Sequence, residues 1–378
     1  MEHTFNGSNL RLARSCHGYA LNDVADAVGK SRQFINRLEM GRDEPTLELA
    51  GELARFLEVM PGFFYESAGM LLGEESYHFR KNATTKVSSK QAALAKGELF
   101  RRFVAFIDGK LDLPLTTFPA FEVTTPEDIE RAAEKSRIAL GLGFGPIVNM
   151  IRVAENAGAV VTTFHSVSSQ VDALSISSKR PIIVTNNNKG SSARIRFDIA
   201  HEIGHFIMHE GRLTGDRVSE GEANRFAGAF LMPRSTFAKE FNAVRHNRFD
   251  WAAMKELKVR WKVSKAAILY RARQLDLITE AQYKNGIVMG LYRRGERTSE
   301  KDDSLVPTEY PELIHNALSV LRNHLGYSIE DVAAAVHMRR KMLMHFLPDL
   351  PELDASTDII DAQQSVICLD TYRSRRSH

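Results

Sequence analysis

The residues with the clearest chemical potential form the run HEIGH, from His201 to His205. If this run is helical, side chains four residues apart lie on one face, so His201 and His205 present two imidazole nitrogens together. Zn²⁺ takes such nitrogens in tetrahedral sites, and a catalytic site keeps one position for water. Glu202 is then placed to take a proton from a metal-activated water. The pattern predicts a hydrolytic zinc site.

A five-residue HExxH pattern also arises by chance on ordinary surface helices. The flanking residues favour a buried helix here, because the apolar positions are Ile199, Ala200, Ile203 and Phe206. A buried helix that carries two histidines and a glutamate on one side needs polar partners. A metal ion supplies them.

A zinc site needs a further protein ligand, and the next predicted helix, 219–232, ends at Pro233 and carries two candidates. We expect Glu220 to be the ligand, with Glu222 as the alternative, since a carboxylate from a second helix completes a His-His-Glu set. His209, one turn beyond the second histidine, is a candidate for a supporting contact outside the ligand set.

Two further residues, Tyr270 and His246, are candidates for stabilising a transition-state oxyanion, and the sequence does not choose between them. Upstream of HEIGH, the short segments AVVTTF, DALSIS and PIIVTN predict strands. A small sheet packed on the HEIGH helix indicates an α+β zinc-peptidase core, which we place at residues 146–290. Residues 74–145 are expected to form a helical connector.

Whole-chain properties limit the class of protein. At 378 residues, two or three domains are expected, and the net charge of +3 permits nucleic-acid binding without arguing for it. The two cysteines, Cys16 and Cys368, are too few for a disulfide framework and are expected to be free thiols in a reducing cytosol. The sequence shows neither a signal region nor an apolar run of about 18 residues, so we expect a cytoplasmic protein without a membrane span.

Residues 1–73 predict an all-α helix-turn-helix domain. LNDVADAV and SRQFINRLEM read as two short helices, joined by a Gly29-Lys30 turn, with Ser31 capping the second. Forked Arg, Gln and Asn side chains match base edges in the major groove, and lysine contacts phosphates. The candidate DNA-binding residues are Lys30, Ser31, Arg32, Gln33, Asn36, Arg37 and Arg42. The alternative is a helical protein-interaction domain with a solvated polar face.

This N-terminal stretch resembles the Xre/Cro-CI helix-turn-helix family. The segments that carry the resemblance are LRLAR, GYALNDVADAVGKSRQFINRLEMG and PTLELAGELARFL. The chain departs from the family at Asn22, where glutamine usually opens the second helix. The resemblance implies binding to double-stranded DNA as a homodimer, with half-sites about one helical turn apart.

The central part of the chain resembles the ImmA/IrrE zinc metallopeptidases. AHEIGHFIMH and EGEANRFAGAFLMP carry the resemblance, and EKSRIALGLGFGPI, DALS and PIIVTNN add to it. It implies that His201, His205 and Glu220 bind Zn²⁺ and that Glu202 is the catalytic base. It also implies cleavage of a repressor or other regulatory protein in stress, phage or mobile-element control.

An internal repeat lies beyond the charged segment ERTSEKDDS, which we expect to be a linker or loop. Residues 18–38 align without gaps to residues 326–346, with 8 identities in 21 positions. We expect residues 305–378 to be helical and to contain a degenerate helix-turn-helix, in which His337 replaces Gly29. Its expected role is dimerisation or packing.

The sequence therefore predicts a multidomain, mainly α protein: a DNA-binding regulator that carries a zinc endopeptidase. The alternative is a non-proteolytic repressor or antitoxin-like DNA binder whose zinc domain acts as a sensor.

Overall fold

The computed structural model describes residues 4–66, 76–81, 87–164, 171–185, 190–242, 244–245 and 248–347. Two candidates named above, Cys368 and His246, lie outside the described residues. The helices in chain order are α1 Gly7–Cys16, α2 Leu21–Ala27, α3 Arg32–Glu39, α4 Leu47–Phe56, α5 Val87–Lys110, α6 Pro126–Ala139, α7 Met150–Asn156, α8 Ser192–Met208, α9 Arg217–Leu231, α10 Arg234–Glu240, α11 Trp251–Trp261, α12 Lys265–Gln274, α13 Glu280–Asn285, α14 Leu313–Leu325, α15 Ile329–Ala335 and α16 Arg340–Leu343.

The strands are β1 Tyr77–Lys81, β2 Val160–Thr163, β3 Val171–Ile176, β4 Ile182–Thr185, β5 Val244–Arg245 and β6 Arg248–Phe249. A π-helical turn follows α13 at Gly286–Leu291, and 3₁₀ turns occupy Pro61–Tyr65, Tyr292–Arg294 and Asp303–Leu305. The expected fold class, mainly helical with a small sheet beside HEIGH, is confirmed.

The N-terminal domain (residues 4–66) is built from short helices that begin at side-chain caps. Ser31 accepts a hydrogen bond from the Phe34 amide at 3.2 Å, and Thr46 accepts one from the Leu49 amide at 3.3 Å. These caps satisfy amides that have no partner within the helix. The turn between α2 and α3 contains Gly29 at φ +61°, a left-handed conformation that glycine adopts without steric cost.

A mixed four-stranded sheet, in the order β1-β3-β4-β2, lies next to α8. β2 pairs with β4 in parallel, and the other two pairs are antiparallel. β1 comes from the segment that we expected to be a purely helical connector. Its pairing with β3, almost 100 residues later, is a non-local contact that local periodicity does not encode.

The sheet separates two hydrophobic cores because successive side chains of a strand point to opposite faces. On one face, Val160 and Val184 join a core formed with the N-terminal domain, α5 and residues 313–347. On the other face, Val161 and Ile183 join the core around α8 and α9. The first core therefore crosses the segment boundaries drawn from the sequence, since it unites both ends of the described chain with the middle.

The charged segment 296–304 is not a solvated linker. Lys258 lies 2.7 Å from Glu300 and Lys265 lies 3.0 Å from Glu296, and all four side chains are buried. Lys258 lies in the last turn of α11 and Lys265 is the first residue of α12, so the acidic residues neutralise charges that would otherwise be buried alone. Composition suggested exposure, whereas the partners are on a distant part of the chain.

None of the helices in the described ranges is both long enough and apolar enough to span a membrane.

Candidate metal centre and nucleic-acid interface

α8 carries the HEIGH residues inside the protein. It runs from Ser192 to Met208, and its apolar face packs in the second core. His201 and His205 are both buried, and their Nε2 atoms are 3.1 Å apart. The four-residue spacing therefore brings the two imidazoles together, as the sequence predicted for a helix.

α9 delivers the carboxylate. Asp216 caps α9 by accepting hydrogen bonds from the Val218 and Ser219 amides. Glu220, in the first turn, lies with Oε2 at 3.4 Å from His201 Nε2 and Oε1 at 3.5 Å from His205 Nε2. Its side chain is 23% exposed, whereas both imidazoles are almost completely buried, so the cluster opens to solvent at Glu220.

The glycine of HEIGH permits this close approach of α8 and α9. A Cβ atom at Gly204 would lie 3.0 Å from Phe226 Cδ1, which is closer than nine in ten real Cβ contacts. Phe226 is fully buried on α9, so it has little room to move. A larger residue at this position would push the helix that carries Glu220 away from the histidines.

Hydrogen bonds outside the cluster fix the orientation of both imidazoles. His209 contacts His205 through the two Nδ1 atoms at 2.9 Å, and its Nε2 lies 2.9 Å from Glu222 Oε2. A proton on His209 Nε2 then donates to Glu222, and one on His205 Nδ1 donates to His209. His205 is left with a lone pair on Nε2, which faces the cluster. Glu222, the alternative ligand, is thus in the row of side chains behind His205.

Asn224 orients the His201 imidazole, as His209 orients that of His205. Its Oδ1 lies 3.2 Å from His201 Nδ1, so a protonated Nδ1 donates to it and leaves the Nε2 lone pair facing inward. Helical spacing accounts for this contact, because Asn224 is four residues after Glu220 and therefore on the same face of α9.

The donor set fits a zinc ion. His201, His205 and Glu220 offer one ligand atom each, all within 4.8 Å of one another. Burial lowers the pKa of His205 from 6.5 to about 4, so this imidazole is neutral at pH 7 and can offer its lone pair. Two facing lone pairs and a carboxylate repel one another unless a cation or a proton lies between them. Two imidazoles and one carboxylate are a donor set that zinc uses in catalytic sites.

Glu202 lies on α8 beside the first histidine and turns towards the sheet. The hydroxyl of Ser175, on β3, donates a hydrogen bond to Glu202 Oε2. Both side chains are buried. The strand DALSIS, recognised in the sequence only as a strand, therefore also orients the candidate base.

His78, on β1, is a site residue that the sequence analysis missed. Its ring stacks on that of His205 with centroids 4.9 Å apart and an interplanar angle of 2°. Both ring nitrogens are engaged, Nδ1 at 2.6 Å from Thr214 Oγ1 and Nε2 at 2.9 Å from Ser177 Oγ. Burial lowers the pKa of His78 to about 3. With its nitrogens occupied, His78 serves as a neutral wall of the cluster.

The remaining oxyanion candidate, Tyr270, lies on α12. Its ring contacts Tyr283, and the guanidinium of Arg273 lies 5.1 Å above it. On the same helix, buried Arg271 forms a two-pronged ion pair with Glu130, at 2.7 Å for each bond. α12 therefore provides packing contacts around the second core.

The candidate DNA-binding residues lie on α3 and in the turns that flank it. α3 buries Ile35 and Leu38 and directs its polar side chains outward. All seven candidates are exposed: Lys30, Ser31, Arg32, Gln33, Asn36, Arg37 and Arg42. Arg37 forms an ion pair with Asp43 at 2.8 Å, and such an exposed pair is weak enough to exchange for a phosphate or base.

Two family models match separate parts of the chain. One, described as the IrrE N-terminal-like domain of the M78 peptidases, covers residues 154–273 and so includes α8 and α9. The other, described as helix-turn-helix, covers residues 10–64.

A curated relative supports the second match. An uncharacterized HTH-type transcriptional regulator of Methanocaldococcus jannaschii is 34% identical over 61 residues, which are 16% of this chain and 92% of that protein. Together with the buried histidine cluster and the exposed polar face of α3, these matches identify the family. The chain belongs to the helix-turn-helix transcriptional regulators and joins that domain to an IrrE N-terminal-like domain of the M78 metallopeptidase family.

Proposed function

We propose that the chain is a DNA-binding regulator of the cytoplasm whose zinc-dependent endopeptidase cleaves a repressor or another regulatory protein. The observation that carries the proposal is the meeting of His201 Nε2, His205 Nε2 and a Glu220 carboxylate oxygen, with Glu202 beside them on the same helix. In this proposal His201, His205 and Glu220 are the zinc ligands, and Glu202 is the catalytic base.

Bound there, a zinc ion would polarise the carbonyl of the scissile peptide and lower the pKa of a water molecule. Every other step belongs to side chains of the protein. Glu202 accepts the proton of the attacking water and returns it to the nitrogen of the leaving amine. The Ser175 hydroxyl holds the Glu202 carboxylate in one orientation for both transfers. His209 and Asn224 keep the ligand nitrogens turned towards the cluster.

The DNA-binding half of the proposal rests on α3. Arg32, Gln33, Asn36 and Arg37 would contact base edges, while Lys30, Ser31 and Arg42 would contact the backbone. Tethering at a promoter would bring the peptidase close to proteins that regulate that promoter. A single cut in a regulatory protein suits such a tethered enzyme better than general digestion.

The metal half is tested by zinc content. The purified chain should bind one zinc ion, and His205→Ala or Glu220→Ala should lower the affinity by several orders of magnitude because each removes a ligand. Glu202→Gln should keep the zinc and lower cleavage of a proteome-derived peptide library by at least about 100-fold, the usual contribution of a general base.

Glu210→Gln is a matched control, because this exposed glutamate follows α8 outside the cluster. It should change neither zinc content nor cleavage. Retained cleavage in the Glu202→Gln protein would refute the role of the base. Zinc binding without any cleavage by the parent protein would instead support the sensor alternative.

A further inference from the structure

The C-terminal module, residues 313–347, repeats the N-terminal fold in its local geometry. α15 (Ile329–Ala335) corresponds to α2 (Leu21–Ala27), since both its first and its last residue lie 308 positions later in the chain. The glycines before these helices, Gly18 and Gly326, have φ values of +73° and +70°. The match extends to the next turn, where the module and the N-terminal domain adopt the same left-handed conformation.

That turn differs in chemistry. Gly29 is at φ +61° in the N-terminal domain, and His337 is at φ +52° in the module. A left-handed residue with a side chain is disfavoured, by about 1 kcal/mol or more. A compensating contact is present: the His337 carbonyl accepts a hydrogen bond from the Met60 amide of the N-terminal domain, at 2.8 Å.

The helix after the turn has lost the features that fit α3 for reading bases. α16 has four residues, whereas α3 has eight. Arg339 stands where Ser31 caps α3, and it provides no side-chain cap. Asn36 and Arg37 correspond to Met344 and His345, and the phosphate-binding candidate Lys30 corresponds to Met338.

These altered positions face the N-terminal domain. Met338 is fully buried and forms a β-bridge with Val59, beside a hydrogen bond from the Arg339 amide to the Glu58 carbonyl at 3.0 Å. Met342 is fully buried with its sulfur 3.9 Å from that of Cys16. In the C-terminal module, the turn and helix that correspond to the DNA-reading ones therefore pack against the N-terminal domain.

The basic side chains left on α16 are paired within the chain. Arg340 forms an ion pair with Glu330 at 2.9 Å, and Lys341 with Glu58. Both acids add negative charge beside α16, which opposes the approach of DNA phosphates. Around α3, where Arg37 also pairs with Asp43, the six other candidate residues are exposed as well.

We propose that the C-terminal module is a DNA-reading fold converted into a docking module, so that one chain reads a single, non-palindromic half-site through α3 alone. The inference rests on the proposed DNA binding. It replaces the homodimer expected from the sequence, because the second helix-turn-helix of the complex is supplied by the same chain and does not read.

The full-length chain is used to select binding sites from a random duplex library. The mass of the resulting complex then gives the number of chains per duplex. We expect one chain per duplex and an enriched motif without internal two-fold symmetry. Palindromic motifs with half-sites about 10 base pairs apart, bound by two chains, would overturn the proposal.

Matched variant pairs then locate the reading helix. Arg32→Ala with Arg37→Ala should weaken binding to the selected site by about 100-fold or more, since each forked base contact is worth about tenfold or more. Arg340→Ala with Lys341→Ala, at the equivalent positions of Arg32 and Gln33, should change the affinity by less than twofold and leave its salt dependence unaltered. Equal losses in both pairs would show that α16 also reads.

Thermal unfolding of each variant serves as the folding control. If the chain enriches no motif, or if neither pair of substitutions alters binding, sequence-specific DNA binding is refuted. The proposal of a single half-site is then refuted as well. An enriched palindrome refutes only the conversion of the module.

Discussion

His205 is held by contacts on three sides: His209 behind it, His201 and Glu220 in front of it, and the ring of His78 above it. The first two follow from helical spacing on α8 and α9. His78 comes from β1, a strand that enters the sheet from the segment following the N-terminal domain. The position of a candidate ligand therefore depends on a part of the chain outside the matched peptidase region.

His78→Ala should lower zinc affinity by about 10- to 100-fold, the usual effect of removing a residue that orients a ligand. His78→Phe, which keeps the ring on His205 but loses the hydrogen bonds to Thr214 and Ser177, should fall between the parent and the alanine variant. Competition with a chromophoric chelator measures the affinity.

His324→Ala is the control, because this histidine is exposed on α14. Parent-like zinc affinity in both His78 variants would show that His78 only fills space. A loss equal in the phenylalanine and alanine variants would assign the whole effect to the hydrogen bonds and none to the stacked ring.

Among the elements, α14 is fixed at its start by a buried carboxyl group. Glu155, at the end of α7, accepts hydrogen bonds from the amides of Glu312 and Leu313, at 3.2 and 3.1 Å. It thereby satisfies amides at a helix start, where the helix has no partners of its own. Burial nevertheless raises the pKa of Glu155 from 4.5 to about 8, because the backbone hydrogen bonds only partly offset the lost hydration.

This raised pKa predicts a pH dependence of stability. Between about pH 4.5 and pH 8 the folded chain keeps a proton on Glu155 that the unfolded chain releases. The folded state then binds more protons, so its stability falls as pH rises through this window, by at most about 1.4 kcal/mol per pH unit. Above pH 8 both states are ionised and the contribution is constant.

Glu155→Gln removes the titration and keeps an acceptor oxygen for the α14 amides. The difference in melting temperature, variant minus parent, should therefore grow from pH 5 to pH 8 and then level off. Glu127→Gln, an exposed substitution on α6, should give a difference that does not vary with pH. Parallel profiles for the parent and the Glu155→Gln protein would contradict the assignment.

Local pattern was sufficient for several elements and insufficient for others. α3, α8 and α9 follow from apolar spacing and from recognisable caps and stops, such as Ser31 and Pro233. β1 could not be predicted, because Tyr77–Lys81 is a strand only through its pairing with β3. The loop expected at 296–304 is present, but the burial of its charges could not be predicted, because the lysines that match them are adjacent only in the fold.

The candidate site divides along the same line. Residues one helical turn apart, His201, His205 and His209, could be assigned from spacing, and the carboxylate could be narrowed to two positions on α9. The contacts from Ser175 and His78 require the register of β1 and β3, in which these two residues are direct partners. No single-residue feature of the sequence distinguishes them.

For the whole molecule, one shared core joins the DNA-binding domain to the peptidase sheet. Phe346 of the C-terminal module lies among Phe100 of α5 and Phe164 at the end of β2, with ring centroids 5.9 and 5.3 Å apart. The Phe346 carbonyl accepts a hydrogen bond from Thr162 at 3.0 Å. Each buried phenylalanine contributes about 1.5–3 kcal/mol, so this junction is a substantial contact.

This arrangement gives the proposed function a physical basis at the scale of the molecule. The helix that would read DNA is exposed, the cluster that would bind zinc opens at Glu220, and their elements belong to two cores that meet at the same sheet. Such a protein would carry its peptidase to a chosen promoter, and its cuts should therefore be few.

The most direct test of this account is a comparison of protein N-termini across the proteome, between cells that express the parent chain and cells that express Glu202→Gln at the same level. The account predicts one or a few new N-termini, in a regulatory protein, that are present with the parent and absent with the variant. Identical N-terminal profiles in the two strains, under conditions in which the chain regulates its promoter, would contradict it.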